Sequence, residues 1–129
     1  MADSYICLMI HLRNKTYTCP VDVTLSFVGG KWKLLILSHL YWTRKKSYSE
    51  IKDNLPGVSE KMLSQQLKEL EKDALIKKDI ISHKPYRVQY ALTPTGKEFA
   101  PLYKFASEWG INYLQANGIE YEQDQHLYK

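Results

Sequence analysis

Apolar and polar positions follow two rhythms along this chain. From Ser59 onward, Leu63, Leu67, Leu70 and Ala74 fall at i, i+4, i+7 and i+11, which a 3.6-residue period gathers into one narrow stripe. Lys61, Gln65, Lys68 and Lys72 project from the far side of the same wheel. The pattern predicts a helix over 59–73, held by a leucine seam and turning a Lys/Gln face outward. Ser59 suits its N-cap, and Glu60 suits the positive end of the helix dipole. A solvated amphipathic surface helix accounts for this much on its own.

Downstream the period becomes two. Residues 75–81 and 87–92 are β-rich runs in which Val88, Tyr90 and Leu92 alternate, with His83-Lys84-Pro85-Tyr86 as a basic loop tip between them. Upstream, Ser47-x-x-Glu50 is a capping box for a short helix over 47–54 that carries Tyr48, Ile51 and Leu55. Pro56-Gly57 stops that helix and turns the chain into Ser59. Helix, turn, helix and then a two-stranded ribbon is the order of a winged helix. There the second helix enters the major groove and the ribbon tip touches backbone or minor groove.

The flanks complete the pattern. Residues 31–42 are apolar over most of their circumference, as a central core helix would be. Pro20 opens a helix with Cys19 at or beside its cap, Val21, Leu25 and Val28 on its apolar side, and Gly29-Gly30 at its end. Arg44-Lys45-Lys46 reads as a basic turn and residues 13–16 as a polar loop, while the apolar run 5–12 fits helix or strand alike. Thr93-Pro94 begins a long terminal helix to 116, with Thr95-x-x-Glu98 as a second capping box. Pro101 either kinks that helix or marks its true beginning. The tail over 117–129 is polar and expected to be loosely ordered.

The predicted fold class is therefore mainly α with a small β-wing (α+β), a winged helix-turn-helix, to which the resemblance described below adds a dimer through the terminal helices. Residues 1–18 form an N-terminal arm with a possible dimer contact, 19–93 the DNA-binding core, 94–116 the dimerisation helix and 117–129 the tail.

Composition narrows the function. The 129 residues suit one domain, and 44% hydrophobic with 25% charged residues is ordinary for a globular chain. A net charge of +4 permits an anionic partner without demanding one. Two cysteines make no disulfide framework, and the 5–12 run lacks a basic n-region and is too short to span a bilayer. A cytoplasmic protein without a membrane partner is expected. No phosphate-binding glycine loop or Ser/His/Asp signature is present, which argues against an enzyme. Cys7, His11 and Cys19 fit no compact zinc spacing, and His39, His83 and His126 are scattered, so neither metal nor cofactor is expected.

Five strings in order carry a resemblance: 19–21 (CPV), 29–37 (GGKWKLLIL), 55–67 (LPGVSEKMLSQQL), 85–93 (PYRVQYALT) and 108–110 (EWG). With them the chain resembles the HxlR-type winged helix-turn-helix transcriptional regulators of bacteria, relatives of the MarR group. The resemblance implies a homodimer on a two-fold-symmetric double-stranded DNA operator, acting as repressor or activator of nearby genes. It does not extend to the 5–12 run or to the tail.

From the residues themselves, Ser59, Lys61, Gln65 and Lys68 are the candidate contacts on the helix, with Gln66 near the edge of its face. Glutamine can pair with adenine, and lysine can reach guanine or phosphate. Lys84 and Arg87, with His83, are the candidates at the wing; Ser49 and Lys31 or Lys33 are further phosphate candidates. Leu102, Phe105, Trp109 and Tyr113 are the candidates for dimerisation, with packing inside the domain as the plainer alternative. A thiol at a helix N-terminus sits where the dipole favours the thiolate. The resemblance places Cys19 where some relatives sense electrophiles or oxidants, while its plain role is a small cap residue. Cys7 lies outside the matching strings. A small-molecule effector is a further expectation. The rival reading is a winged-helix protein–protein interaction module that does not bind DNA.

Overall fold

The apolar helix stands at the centre, as its all-round hydrophobicity predicts. In the computed structural model, which describes residues 9–122, α2 (Lys33–Thr43) buries Ile36, Leu37 and Leu40. Around it pack α3 (Tyr48–Asp53), through Ile51, and α4 (Glu60–Lys72), through Leu63, Leu67 and Leu70. Val58, Leu75, Ile76, Tyr90, Leu92 and Tyr103 close the same core. The wing strands β4 (Ile76–His83) and β5 (Tyr86–Leu92) follow α4.

The capping predictions hold at both helices of the helix-turn-helix. The Glu50 backbone N–H donates to the Ser47 hydroxyl at 3.2 Å and the Ser47 backbone N–H to Glu50 Oε1 at 3.1 Å, a full capping box. Ser59 accepts from the Met62 N–H at 3.0 Å. Between them Gly57 takes φ +88°, a left-handed conformation that glycine adopts without steric cost.

Several expectations are corrected. Arg44 ends α2 at φ 74°, and Lys45–Ser47 is not a turn but a strand, β3, paired antiparallel with β5. The ribbon is thus a three-stranded sheet in the order β3-β5-β4. Lys46 is buried there, its ammonium donating to Asn54 Oδ1 at the end of α3. Residues 13–16 are not a plain loop. They join β1 (Ile10–Leu12) to β2 (Lys15–Tyr17) in a hairpin whose turn residues, Arg13 and Asn14, both have positive φ, as a two-residue I′ turn requires. Residues 9–12 of the undecided run are therefore partly strand, and 5–8 lie outside the described residues.

Ala74 is not on the leucine stripe. It lies beyond α4, exposed and left-handed at φ 60°, while the Leu75 N–H donates to the Leu70 carbonyl and the Ala74 N–H to that of Glu71. That is a Schellman ending with alanine where glycine is usual; Leu75 completes the seam. The helix α1 (Pro20–Val28) starts and stops as predicted, but only Val28 of its three apolar residues is buried, and Val21 and Leu25 face outward. The terminal helix is two: α5 (Pro94–Lys97), capped by Thr93 rather than boxed by Thr95, and α6 (Ala100–Ala116), whose beginning Pro101 marks. Most of the tail, 123–129, lies outside the described residues.

Arg13 braces the N-terminal hairpin. Its guanidinium pairs with Asp73 at 3.0 Å, donates to Ser26 and lies 4.1 Å from the Phe27 ring centroid.

Candidate nucleic-acid interface

Burying the leucine seam leaves α4 no choice about what it shows. Lys61, Gln65, Lys68 and Lys72 are all exposed on the face away from the core. Tyr48 holds this helix at its start, with its hydroxyl 3.3 Å from Ser64 Oγ and 3.4 Å from the Glu60 carbonyl. Beside that face runs a groove of about 840 Å³ between the start of α3, the flank of α4 and the wing. Ser49, Lys68, Lys78, Arg87 and Gln89 supply its donors, and Glu50 and Glu71 temper its charge.

The predicted contacts spread over α4, the groove and the wing tip. Lys61 and Gln65 point outward from α4, and Lys68 and Arg87 line the groove from opposite walls. Ser59 sits exposed at the helix start with its oxygen engaged as cap. His83 and Tyr86 pair across the wing tip, with Lys84 exposed between them. Gln66 is separate: half-buried on the flank towards α2, its amide lies 3.6 Å from Met62 Sδ and 3.5 Å from Glu69 Oε2.

Lys33 does not stand free as a phosphate contact. Its ammonium is 2.9 Å from Glu69 Oε2, and its side chain is only 14% exposed. Lys31, by contrast, is exposed, 4.5 Å from the Trp32 ring centroid. The Lys33 hydrogen bond holds the Glu69 carboxyl below the usual carboxylate range against the opposing effect of burial. Two residues escaped sequence reasoning. One is Glu69, because its partner comes from a distant helix. The other is Lys78, whose ammonium lies 5.8 Å from the Tyr86 ring centroid; hydrogen bonding to Tyr86, then the charge interaction with Tyr90, raises its pKa. The β-alternation that marks 75–81 as strand was the available signal for Lys78.

A helix-turn-helix followed by a wing, with a basic groove between recognition helix and wing, is now defined. The HxlR-like helix-turn-helix family model matches residues 27–118. The chain belongs to the HxlR-like helix-turn-helix family. Among relatives of this HxlR-like chain, the HTH-type transcriptional regulator YdzF of Bacillus subtilis (strain 168) is 42% identical over 92 residues, which cover 71% of this chain and 84% of YdzF. Among solved structures, the redox regulator HypR in its oxidised form shares 35% identity at a TM-score of 0.69, covering 73% of this chain and 96% of that one. Its reduced form gives 34% identity and a TM-score of 0.68 over 72% and 91% of the two chains. The HxlR-like chain is a winged helix-turn-helix transcriptional regulator, and DNA is its partner.

Two other features of this HxlR-like chain bear on function. Of the 17 residues of α6 only Tyr103 is buried. Leu102 is half-buried against the core at the start of the same stripe, whereas Phe105 (64%), Trp109 (60%) and Tyr113 (50%) are exposed. The Trp109 and Tyr113 rings stack with centroids 5.5 Å apart. Cys19 is the N-cap of α1, partly buried; its carbonyl accepts from Asp22 and Val23, and its side chain makes no capping hydrogen bond. Cys7 lies outside the described residues. Among the described residues, no helix is long and apolar enough to cross a membrane.

Proposed function

We propose that this HxlR-like regulator acts in the cytoplasm as a homodimer on a two-fold-symmetric operator, with no enzymatic step of its own. Residues 19–93 are the DNA-binding unit. In it α4 lies in the major groove with Ser59, Lys61, Gln65 and Lys68 towards the bases and phosphates. Lys84 and Arg87 of the wing reach backbone or minor groove. The observation that carries this reading is the groove in which Lys68 of α4 faces Arg87 and Lys78 of the wing across one basic cleft. Gln66, on the opposite flank, supports this surface rather than lining it.

Residues 94–116 are the dimerisation unit, through Phe105, Trp109 and Tyr113, with half-buried Leu102 at the start of the same stripe. A 17-residue helix that buries one side chain and exposes three aromatics in a row has a large apolar face that a partner copy would cover. A symmetric dimer sets two recognition helices about 34 Å apart, one turn of DNA. Cys19 is the place where an oxidant or electrophile acts on the regulator. The likeness to a redox regulator solved in oxidised and reduced forms and the thiol at a helix N-terminus support that assignment.

Fluorescence anisotropy on the DNA upstream of the protein's own gene tests the central claim, with a scrambled duplex as control. Tighter binding to the upstream duplex, falling steeply with salt, is expected. Absence of binding to either duplex sinks the DNA-binding reading and leaves the interaction module. Titration with diamide, on the wild type and on Cys19→Ser, tests the thiol.

A further inference from the structure

The DNA-facing surface of α4 holds one carboxylate that is anchored from behind. Glu69 takes the Lys33 ammonium from α2 at 2.9 Å on Oε2. The Gln66 amide donates to the same oxygen and the Gln65 amide donates to Oε1, both at 3.5 Å. Gln65 points away from the leucine seam and is exposed, so its far edge is offered to whatever lies in front of the helix.

A carboxylate can only accept hydrogen bonds, so this contact settles which way the Gln65 amide faces: Nε2 turns towards Glu69. An amide nitrogen carries two hydrogens. One is spent on Glu69, and the other stays beside Oε1 on the outward edge. That edge, one acceptor next to one donor, matches adenine in the major groove, whose N6 amino group donates and whose N7 accepts. The reversed amide would place its donor where adenine also donates. Lys33 gives the arrangement its fixed point. It is largely buried, it keeps the Glu69 carboxyl ionised, and it offsets a negative charge that would otherwise face phosphates.

We infer that Glu69, held by Lys33, is a positioning residue that sets the Gln65 amide to read adenine at one position in each half-site. The inference rests on the DNA-binding reading above and adds to it a specificity device that touches no base.

Selection from a pool of duplexes with a randomised centre tests it without knowledge of the operator. The wild-type protein should enrich a two-fold-symmetric motif with adenine at one matched pair of positions. Gln65→Ala should lower that preference roughly tenfold, in line with the loss of one bidentate pair. Glu69→Ala should lower it at the same position and nowhere else, while binding to unselected duplex stays the same or tightens. Combining the two changes should add little to either alone, because both act through one amide. Glu69→Gln, whose single oxygen cannot accept from both Lys33 and Gln65, should also lower the preference at that position.

A Glu69→Ala protein that selects the wild-type motif, or that loses preference at a different position from Gln65→Ala, overturns the inference. If Glu69→Ala does not fold, Lys33→Met makes the same test by freeing the carboxylate from its anchor; an unchanged motif again overturns the inference. A wild-type protein that enriches no sequence refutes the sequence-specific reading itself, which separates that failure from this one.

Discussion

Burial lowers the pKa of His39 on α2 below its ordinary 6.5, and the nearby Lys46 ammonium lowers it further. As pH falls below about 6.5 the unfolded chain therefore takes up a proton before the native one does. Stability present above that pH drains away beneath it. Urea midpoints measured at pH 7.5 and pH 5 should fall on acidification, and His39→Gln should flatten that part of the fall. At this scale the sequence is a partial guide. Lys61, Gln65 and Lys68 could be placed on the outer face because a helical period fixes angles around an axis. Gln66, Lys33 and Glu69 could not, because their surroundings depend on how α2 lies across α4. Val21 and Leu25 misled for a related reason: apolar spacing marks a face to be covered and does not say whether the cover lies within the same chain.

Among elements, the helix ends and the wing yield two tests. The left-handed Ala74 in the Schellman ending of α4 sits where glycine carries no Cβ penalty. Ala74→Gly should stabilise the fold by about 0.5–1 kcal/mol, read from thermal or urea unfolding, provided the native strain relieved exceeds the extra freedom of the unfolded chain. In the wing, Lys84→Ala combined with Arg87→Ala should weaken binding to all duplexes alike. The slope of log K against log salt should become shallower by about 0.9 for each phosphate that is no longer neutralised. An unchanged slope would mean that neither side chain touches the DNA backbone. The Ser47–Glu50 capping box, the Pro56-Gly57 turn and the Pro20 start were legible because each is written in a few adjacent residues. The β3 strand and the N-terminal hairpin were not: three-residue strands show no period, and the Arg13-Asn14 turn carries no glycine.

At the scale of the whole molecule the element to test is the outer helix. If two copies meet through α6, Trp109→Glu should yield monomers by sedimentation equilibrium, since a charge in an apolar interface must be desolvated without a partner. Operator affinity should then drop well beyond what one missing side chain explains, because each monomer holds only a half-site, while the circular dichroism of the winged domain should stay unchanged. Native affinity at full strength from a monomeric variant would separate DNA recognition from dimerisation. The order of elements, and with it the winged helix, could be read from the chain because each is local. The outer surface of α6 was ambiguous between core and interface, and the exposure of Phe105, Trp109 and Tyr113 takes these three out of the intradomain core.

The order β3-β5-β4 leaves β4 at one rim of the sheet, with Ile80 and Ile81 exposed about a bulge between Ile80 and Ser82. An open strand with apolar side chains is a template for stacking against other chains, and natural proteins blunt such rims with charge and irregularity. Lys77, Lys78, Asp79 and the bulge meet that need here. A sample carrying Lys77→Val with Asp79→Val should therefore turn cloudy on concentration, as followed by light scattering, while keeping its fold in dilute solution. The same charged strand that walls the groove beside α4 thus also guards the open rim of the sheet.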